Sequence, residues 1–264
     1  MDNEFYKPSY LYQYTTIGSL ALILKTRSIK FNSLAYVDDL EEMKSGDIDE
    51  IGRYVFASCW TDKKEENIAL WNMYAEKMRG IRIGLPVYSL EDSKDFVQKQ
   101  VNKYKLNLIE YGSETIILPD NTYVWKDFKW ANYYQLREIV YTDDDRKLFP
   151  NIIRTDDEGN IRLDSLQLGL CKRKCWEFQQ EWRYLIYIGL NSNNKKDTFY
   201  RVNKKKKVPN SLFARIDAKQ FEKMTVLMGP GTNESDYVIV DALKEKFNPT
   251  MTIEKSYFSE KISV

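Results

Sequence analysis

The stretch WEFQQEWRYLIYIGL, residues 176–190, constrains the fold more than any other. Its second half reads as a buried β-strand. Alternation sends Trp182, Tyr184, Ile186 and Ile188 to one face and Arg183, Leu185 and Tyr187 to the other. Gln179, Gln180 and Glu181 stand at the mouth of this strand. They suit either a solvated strand entrance or a carboxylate held at the edge of a catalytic cleft. Glu181 and Arg183, two apart on an extended strand, also suit a surface ion pair of small energetic value.

The flanking segments alternate between strand-like and helix-like patterns. YLYQYTT (10–16) predicts a strand. IGSLALILKTRSIKF (17–31) predicts an apolar helix running into a second strand, with Ser19 able to cap free amides and Leu20, Ile23 and Leu24 on one face. AYVDDLEEMKSGD (35–47) is an acidic helix or loop, and RYVFASCW (53–60) a further strand. In KEENIALWNMYAEKMRG (64–80), Leu70, Trp71, Tyr74, Ala75 and Met78 recur at helical spacing, with Gly80 at a natural C-terminal cap. IRIGLPVY (81–88) returns as a strand. TDDEGN (155–160) marks a turn before a helix ending near Lys174. The run 222–247 reads as strand, Gly-Pro-Gly loop and helix, and TMTIEKSYF (250–258) as a last strand. No linker is rich enough in Gly, Ser or Pro to split the 264 residues. The expectation is one α+β domain over 1–264, with a mixed, largely antiparallel sheet and flanking helices.

The chain contains no histidine. That removes Ser-His-Asp and Cys-His nucleophiles and histidine metal sites. Any chemistry falls to carboxylates, Tyr, Ser, Cys, Lys and Arg, or to a bound cofactor. Three cysteines suggest a reducing compartment, and no apolar run approaches the roughly 18 residues of a spanning helix. The opening residues carry no basic-then-apolar signal, so a soluble cytoplasmic protein with no membrane partner is expected. Lys+Arg of 40 against Asp+Glu of 39 gives no strong nucleic-acid signal. The Lys204 to Lys207 run reads as a solvated loop. The abundance of Lys, Asn, Tyr and Ile suggests an AT-rich bacterial or phage genome.

Other motifs have ordinary explanations. MGPGTNESD (228–236) lacks the Lys-Ser/Thr ending of a P-loop and fits a tight turn with Asn233, Ser235 or Asp236 at a helix start. Cys171 and Cys175 would share a helical face, but only Cys59 remains to complete a zinc site, so no metal is expected. Asp38, Asp39, Glu41 and Glu42 suit an exposed helix start, or a divalent cation serving a metal-dependent phosphodiesterase. Trp71 and Tyr74 suit core packing or the wall of a pocket for a flat ring.

Taken in order, LYQYTT, YVDDLEE, VFASCW, LWNMYAEKMRGIRIGL and WEFQQEWRYLIY resemble the bacterial family of unknown function DUF2971 across most of the chain. More distantly, three of these segments resemble the strand motifs of ADP-ribosyltransferases. QQEWRYLIY looks like the Gln/Glu-x-Glu strand, with Gln179 and Glu181 in the paired positions. VFASCW looks like a degenerate aromatic-Ser-Thr-Ser strand with Ser58 in the central place. YQYTT looks like the first strand, although Gln13 stands where a His or Arg is expected.

That resemblance implies an NAD cofactor or substrate and ADP-ribose transfer or hydrolysis, in a bacterial defence or toxin setting. Glu181 would stabilise the positive charge that develops on ribose as nicotinamide leaves. Gln179 would orient the acceptor, with Gln180 pointing away. Ser58 would structure the nicotinamide pocket, and Tyr12, Gln13, Tyr14, Trp71 and Tyr74 would hold the nucleotide. A rival expectation is a non-catalytic module whose cleft holds a nucleotide or a protein partner.

Overall fold

In a computed structural model, residues 8–87, 110–111, 114–115, 122–124, 135–155, 157, 159, 161–190 and 210–263 are described. Ten strands of one mixed sheet are numbered here in chain order: β1 (Tyr10–Thr15), β2 (Ser28–Ser33), β3 (Val55–Thr61), β4 (Ile81–Pro86), β5 (Thr122–Val124), β6 (Gln135–Glu138), β7 (Glu181–Leu190), β8 (Ser211–Arg215), β9 (Thr225–Met228) and β10 (Thr252–Lys255). The helices are α1 (Ile17–Thr26), α2 (Ile68–Tyr74), α3 (Asp145–Leu148), α4 (Ala218–Glu222) and α5 (Glu234–Phe247). The main path of the sheet runs β8-β2-β3-β1-β4-β9-β10. Among the described pairings of this sheet only β9 and β10 run parallel, and the others are antiparallel. The protein is thus a single α+β domain with a mixed, largely antiparallel sheet.

The junction at β3 positions the site. One edge of β3 pairs with β7 without a break, from Val55↔Tyr187 to Thr61↔Glu181. The other edge meets β2 at Phe56 and Ala57, and β1 at Thr61 alone. Between them, residues 58–60 have no strand register on that edge. The Cys59 carbonyl there accepts a 2.9 Å hydrogen bond from Gln13 Nε2, so a side chain replaces a missing ladder bond. The sheet therefore splits at this point.

Local chemistry sets the helices. Thr16, rather than Ser19, caps α1, its hydroxyl accepting from the Ser19 amide at 2.9 Å. Leu20 and Leu24 are buried beneath it, and Arg27 ends it in the left-handed region at φ 52°. Helix α2 begins where Asn67 Oδ1 accepts from the amides of Ala69 and Leu70. It is shorter than the helical spacing over 64–80 predicts. Glu76, Lys77 and Met78 all take positive φ, and Gly80 is a close-approach residue rather than a helix cap. A Cβ on Gly80 would lie 2.3 Å from the Thr15 carbonyl oxygen. Helix α5 starts with a reciprocal capping box between Asn233 and Asp236, in agreement with the turn expected at the Gly-Pro-Gly loop.

Two expectations fail. Residues 161–174 form no α-helix: Ile153–Thr155 pairs with Ile161–Leu163, and Cys171–Lys172 pairs in parallel with Val140–Tyr141. Cys171 and Cys175 therefore share no helical face, because Cys175 lies in a following 3-10 turn over Lys174–Gln179. The acidic segment 35–47, open between helix and loop from its sequence, is a loop with two 3-10 turns, Leu34–Tyr36 and Leu40–Met43. The Lys204 to Lys207 run lies outside the described residues.

The core falls into three groups. Leu11, Leu20, Leu24, Trp60, Ile83, Trp182 and Val240 join one sheet face to α1 and α5. Phe31, Leu34, Val55, Phe56, Leu185 and Ile186 fill a second cluster. Tyr14, Leu70, Trp71 and Ala75 seat α2 in a third.

Candidate functional site

A cavity of about 320 Å³ opens at the split between β1 and β3. It is lined from β1 by Tyr12, Gln13 and Tyr14, from β2 by Lys30 and Asn32, and from β3 by residues 57–61. Tyr36, Asp38 and Tyr74 flank it, and Lys172, Gln179 and Glu181 also line it. Glu181, Gln179, Tyr12, Gln13, Tyr14 and Tyr74 thus line one cavity.

Gln179 and Glu181 reach this cavity by a route other than strand alternation. Gln179 ends the 3-10 turn, and Gln180 takes a left-handed conformation at φ 44° before β7 begins at Glu181. The reversal turns Gln180 into a neighbouring cavity, as expected of its side chain, while Gln179 and Glu181 share the first. The Glu181 backbone is held at both ends. Its N–H donates to Tyr141 Oη and its carbonyl accepts from the Ile139 amide, each at 2.9 Å.

The carboxylate of Glu181 is buried, and so is Arg183. The exposed ion pair allowed by the sequence is instead an interior clasp. Arg183 Nε and Nη2 donate to the two Glu181 oxygens at 2.6 and 3.0 Å, and the same guanidinium makes a second fork onto Glu42. Lys172, 1% exposed at its side chain, is the second buried cation. Its Nζ lies 3.5 Å from Glu181, 3.5 Å from Glu42 and 3.4 Å from Asp38, and donates to Gln179 Oε1 at 2.8 Å. Its ammonium also stands 4.6 Å from the centre of the Trp176 ring.

Gln179 completes a ring of contacts. Its Nε2 donates to Tyr74 Oη at 2.6 Å, and Tyr74 in turn donates to Asp38. Burial pushes the Tyr74 phenol well up, and the Asp38 hydrogen bond pushes it further, so it remains a donor. Burial acts to raise the Asp38 and Glu181 carboxyls, but the surrounding cations and donors outweigh it and hold both below their ordinary values. At Glu181 these are Arg183 and Lys172; at Asp38 they are Lys172 and the Tyr74 hydroxyl. Asp38 and Glu181 therefore stay ionised, and with Glu42 the floor sets three acidic side chains against the two cations Lys172 and Arg183.

The aromatic side is built on β1. Tyr12 faces the Arg82 guanidinium, 4.7 Å from ring centre to carbon, and Gly84 leaves space for its ring. Tyr14 stands edge-on to Trp71 at 4.8 Å, and its hydroxyl accepts from the Asn67 amide.

Several proposed roles need correction. Trp71 is fully buried beneath α2, donates its indole N–H to Glu66 and does not line the cavity. Ser58 belongs to the wall, but its hydroxyl accepts from the buried Trp60 indole at 2.9 Å, and its register partner is Tyr184. Strand alternation thus aims it to the pleat opposite Glu181. Asp39 caps the 3-10 turn at Leu40, and Glu42 is held by Arg183, which leaves the acidic run without the free ligands a cation needs. No group of three Cys, Asp or Glu suited to a metal occurs among the described residues.

Lys172, Lys30, Asn32 and Tyr36 escaped sequence reasoning. In CKRKC the central chemistry belongs to Lys172 rather than to the cysteines. Its partners at positions 38, 42 and 181 leave no local pattern to detect. No family model, curated protein or solved structure matches the chain. No helix among the described residues is long and apolar enough to cross a membrane.

Proposed function

We propose that the cleft binds NAD and supports transfer or hydrolysis of its ADP-ribose, as the likeness of the β1, β3 and β7 segments to ADP-ribosyltransferases and the order shared with DUF2971 suggest. One observation carries this reading: Gln179 and Glu181 meet Tyr12 and Gln13 in a single cavity where β1 leaves β3. A tyrosine-lined wall suits a flat nicotinamide ring. A floor held anionic suits the positive charge that develops on ribose as the glycosidic bond breaks. Glu181 supplies that charge, Asp38 adds to it from a more exposed position, and Gln179 orients the attacking group. A bacterial defence or toxin role belongs to the same proposal.

A non-catalytic nucleotide-binding module is the second reading. It is favoured by the clasp of Arg183, which occupies both oxygens of Glu181. Both readings require a nucleotide in this cleft. Saturating NAD should raise the melting temperature, because a ligand bound only to the native state stabilises it. Tyr12→Ala should weaken that shift while leaving the unliganded melting temperature nearly unchanged. Absence of a shift with NAD, ADP-ribose and nicotinamide riboside alike would refute both readings.

A further inference from the structure

The charges around the cavity are not evenly distributed. At the floor, Lys172 and Arg183 are wholly committed to Asp38, Glu42, Glu181 and Gln179. Lys30 differs. It lies on β2, is exposed, and lines the same cavity. Among the described residues its ammonium makes no ion pair and no hydrogen bond. Asn32, two residues further along β2, also lines the cavity, so this strand presents a cation and an amide to the opening.

Size points the same way. A volume of about 320 Å³ is near the lower end of the roughly 300–1,000 Å³ of small-molecule sites. It suits a ring with its ribose better than a whole dinucleotide, which leaves the phosphates of such a ligand at the rim. An anionic floor repels phosphate and attracts a cationic ring, and an uncompensated lysine at the rim does the reverse. Gln13, where the resembling enzymes carry His or Arg, is spent on the Cys59 carbonyl and offers no charge.

We infer that Lys30 is the phosphate-binding residue of this cleft, and that the site selects a nucleotide with a cationic ring at one end and phosphate at the other. The inference rests on the NAD reading above and adds to it an orientation and a preference. The ring lies over Asp38 and Glu181, the phosphates leave past Lys30 and Asn32, and oxidised NAD is preferred to its reduced, neutral-ring form.

Titration calorimetry on the full chain tests this with four probes: NAD, its reduced form, ADP-ribose and nicotinamide riboside, the last having the cationic ring without phosphate. Lys30→Glu is expected to weaken NAD and ADP-ribose by roughly tenfold or more, and to leave nicotinamide riboside within about twofold. Lys30→Arg should bind all four within about threefold of wild type, since it keeps the charge. Wild type should bind NAD more tightly than the reduced form. Equal effects of Lys30→Glu on phosphorylated and unphosphorylated probes, or no effect on either, would overturn the role of Lys30 while leaving the NAD reading intact. Equal affinity for oxidised and reduced NAD would overturn the proposed orientation. Failure of wild type to bind any probe would overturn both the inference and the reading beneath it.

Discussion

Arg183 and Glu181 stand two residues apart on one strand and bind each other through two hydrogen bonds of 2.6 and 3.0 Å, with neither side chain more than 6% exposed. Their pairing depends on a third group, Glu42, brought from the second 3-10 turn to the other side of the guanidinium. The clasp both orients the carboxylate toward the cavity and limits how far it can turn.

Removal of the guanidinium should therefore be severe. Arg183→Leu leaves Glu42 and Glu181 facing Lys172 alone, with a buried charge uncompensated. A loss of roughly 3–5 kcal/mol is expected in urea unfolding, the range for breaking a buried pair from one side. A loss below about 1 kcal/mol would mean that the clasp is solvated.

The same cluster sets a pH signature. The Glu181 and Asp38 carboxyls lie below their ordinary 4.5 and 3.8 in the folded state. The unfolded chain thus binds protons first. Their contribution to stability is complete above about pH 4.5 and is lost as pH falls through the depressed folded values. Lys172 has the opposite sign. Burial lowers its affinity for a proton, but Glu181 and Glu42 outweigh burial and raise it above the ordinary 10.5. Its contribution is complete below that value and disappears as pH rises through the folded one. Unfolding free energies from pH 3 to 11 should show both limbs, and Lys172→Met should reduce the alkaline limb. The part that stays is due to the phenols of Tyr74, Tyr141, Tyr184 and Tyr187, which burial also raises. An unchanged alkaline limb in that variant would contradict the role given to Lys172.

Trp71 and Tyr12 were both readable as pocket aromatics, and the structure separates them. Trp71→Ala should cost about 3–5 kcal/mol, as for a buried aromatic, and act on ligand affinity only through the fold. Tyr12→Ala, at a half-buried ring on the cavity wall, should cost clearly less in urea unfolding and act mainly on ligand binding. Equal destabilisation by the two would refute the separation.

These contrasts show what local sequence carries. Strand β7 was legible because Trp182, Tyr184 and Ile186 recur at a period of two, with Leu185 and Tyr187 on the alternate face. The pairing of Gln179 with Glu181 in one cleft was legible as an outcome, although the left-handed Gln180 that achieves it was not. Residues 161–174 misled because their composition leaves helix and short strand close in preference, and pairing with Val140–Tyr141 decides. The surface ion pair left open for Arg183 follows from charge normally implying exposure, whereas its burial depends on Glu42, 141 residues away. Lys172 was hidden for the same reason. Long-range charge pairing leaves no periodic trace.

The most direct test is release of nicotinamide from NAD by the purified protein, followed by chromatography, for wild type and Glu181→Gln. The isosteric amide keeps the cavity shape and removes the charge, and calorimetric binding of NAD verifies that the cleft remains formed. Wild type is expected to release nicotinamide, alone or with an acceptor, and Glu181→Gln to lower that rate by about 10²–10³-fold, the scale of losing one preorganised electrostatic contact. Equal rates in the two proteins, or no release by wild type while NAD still binds, would contradict a catalytic Glu181 and leave a nucleotide-binding module.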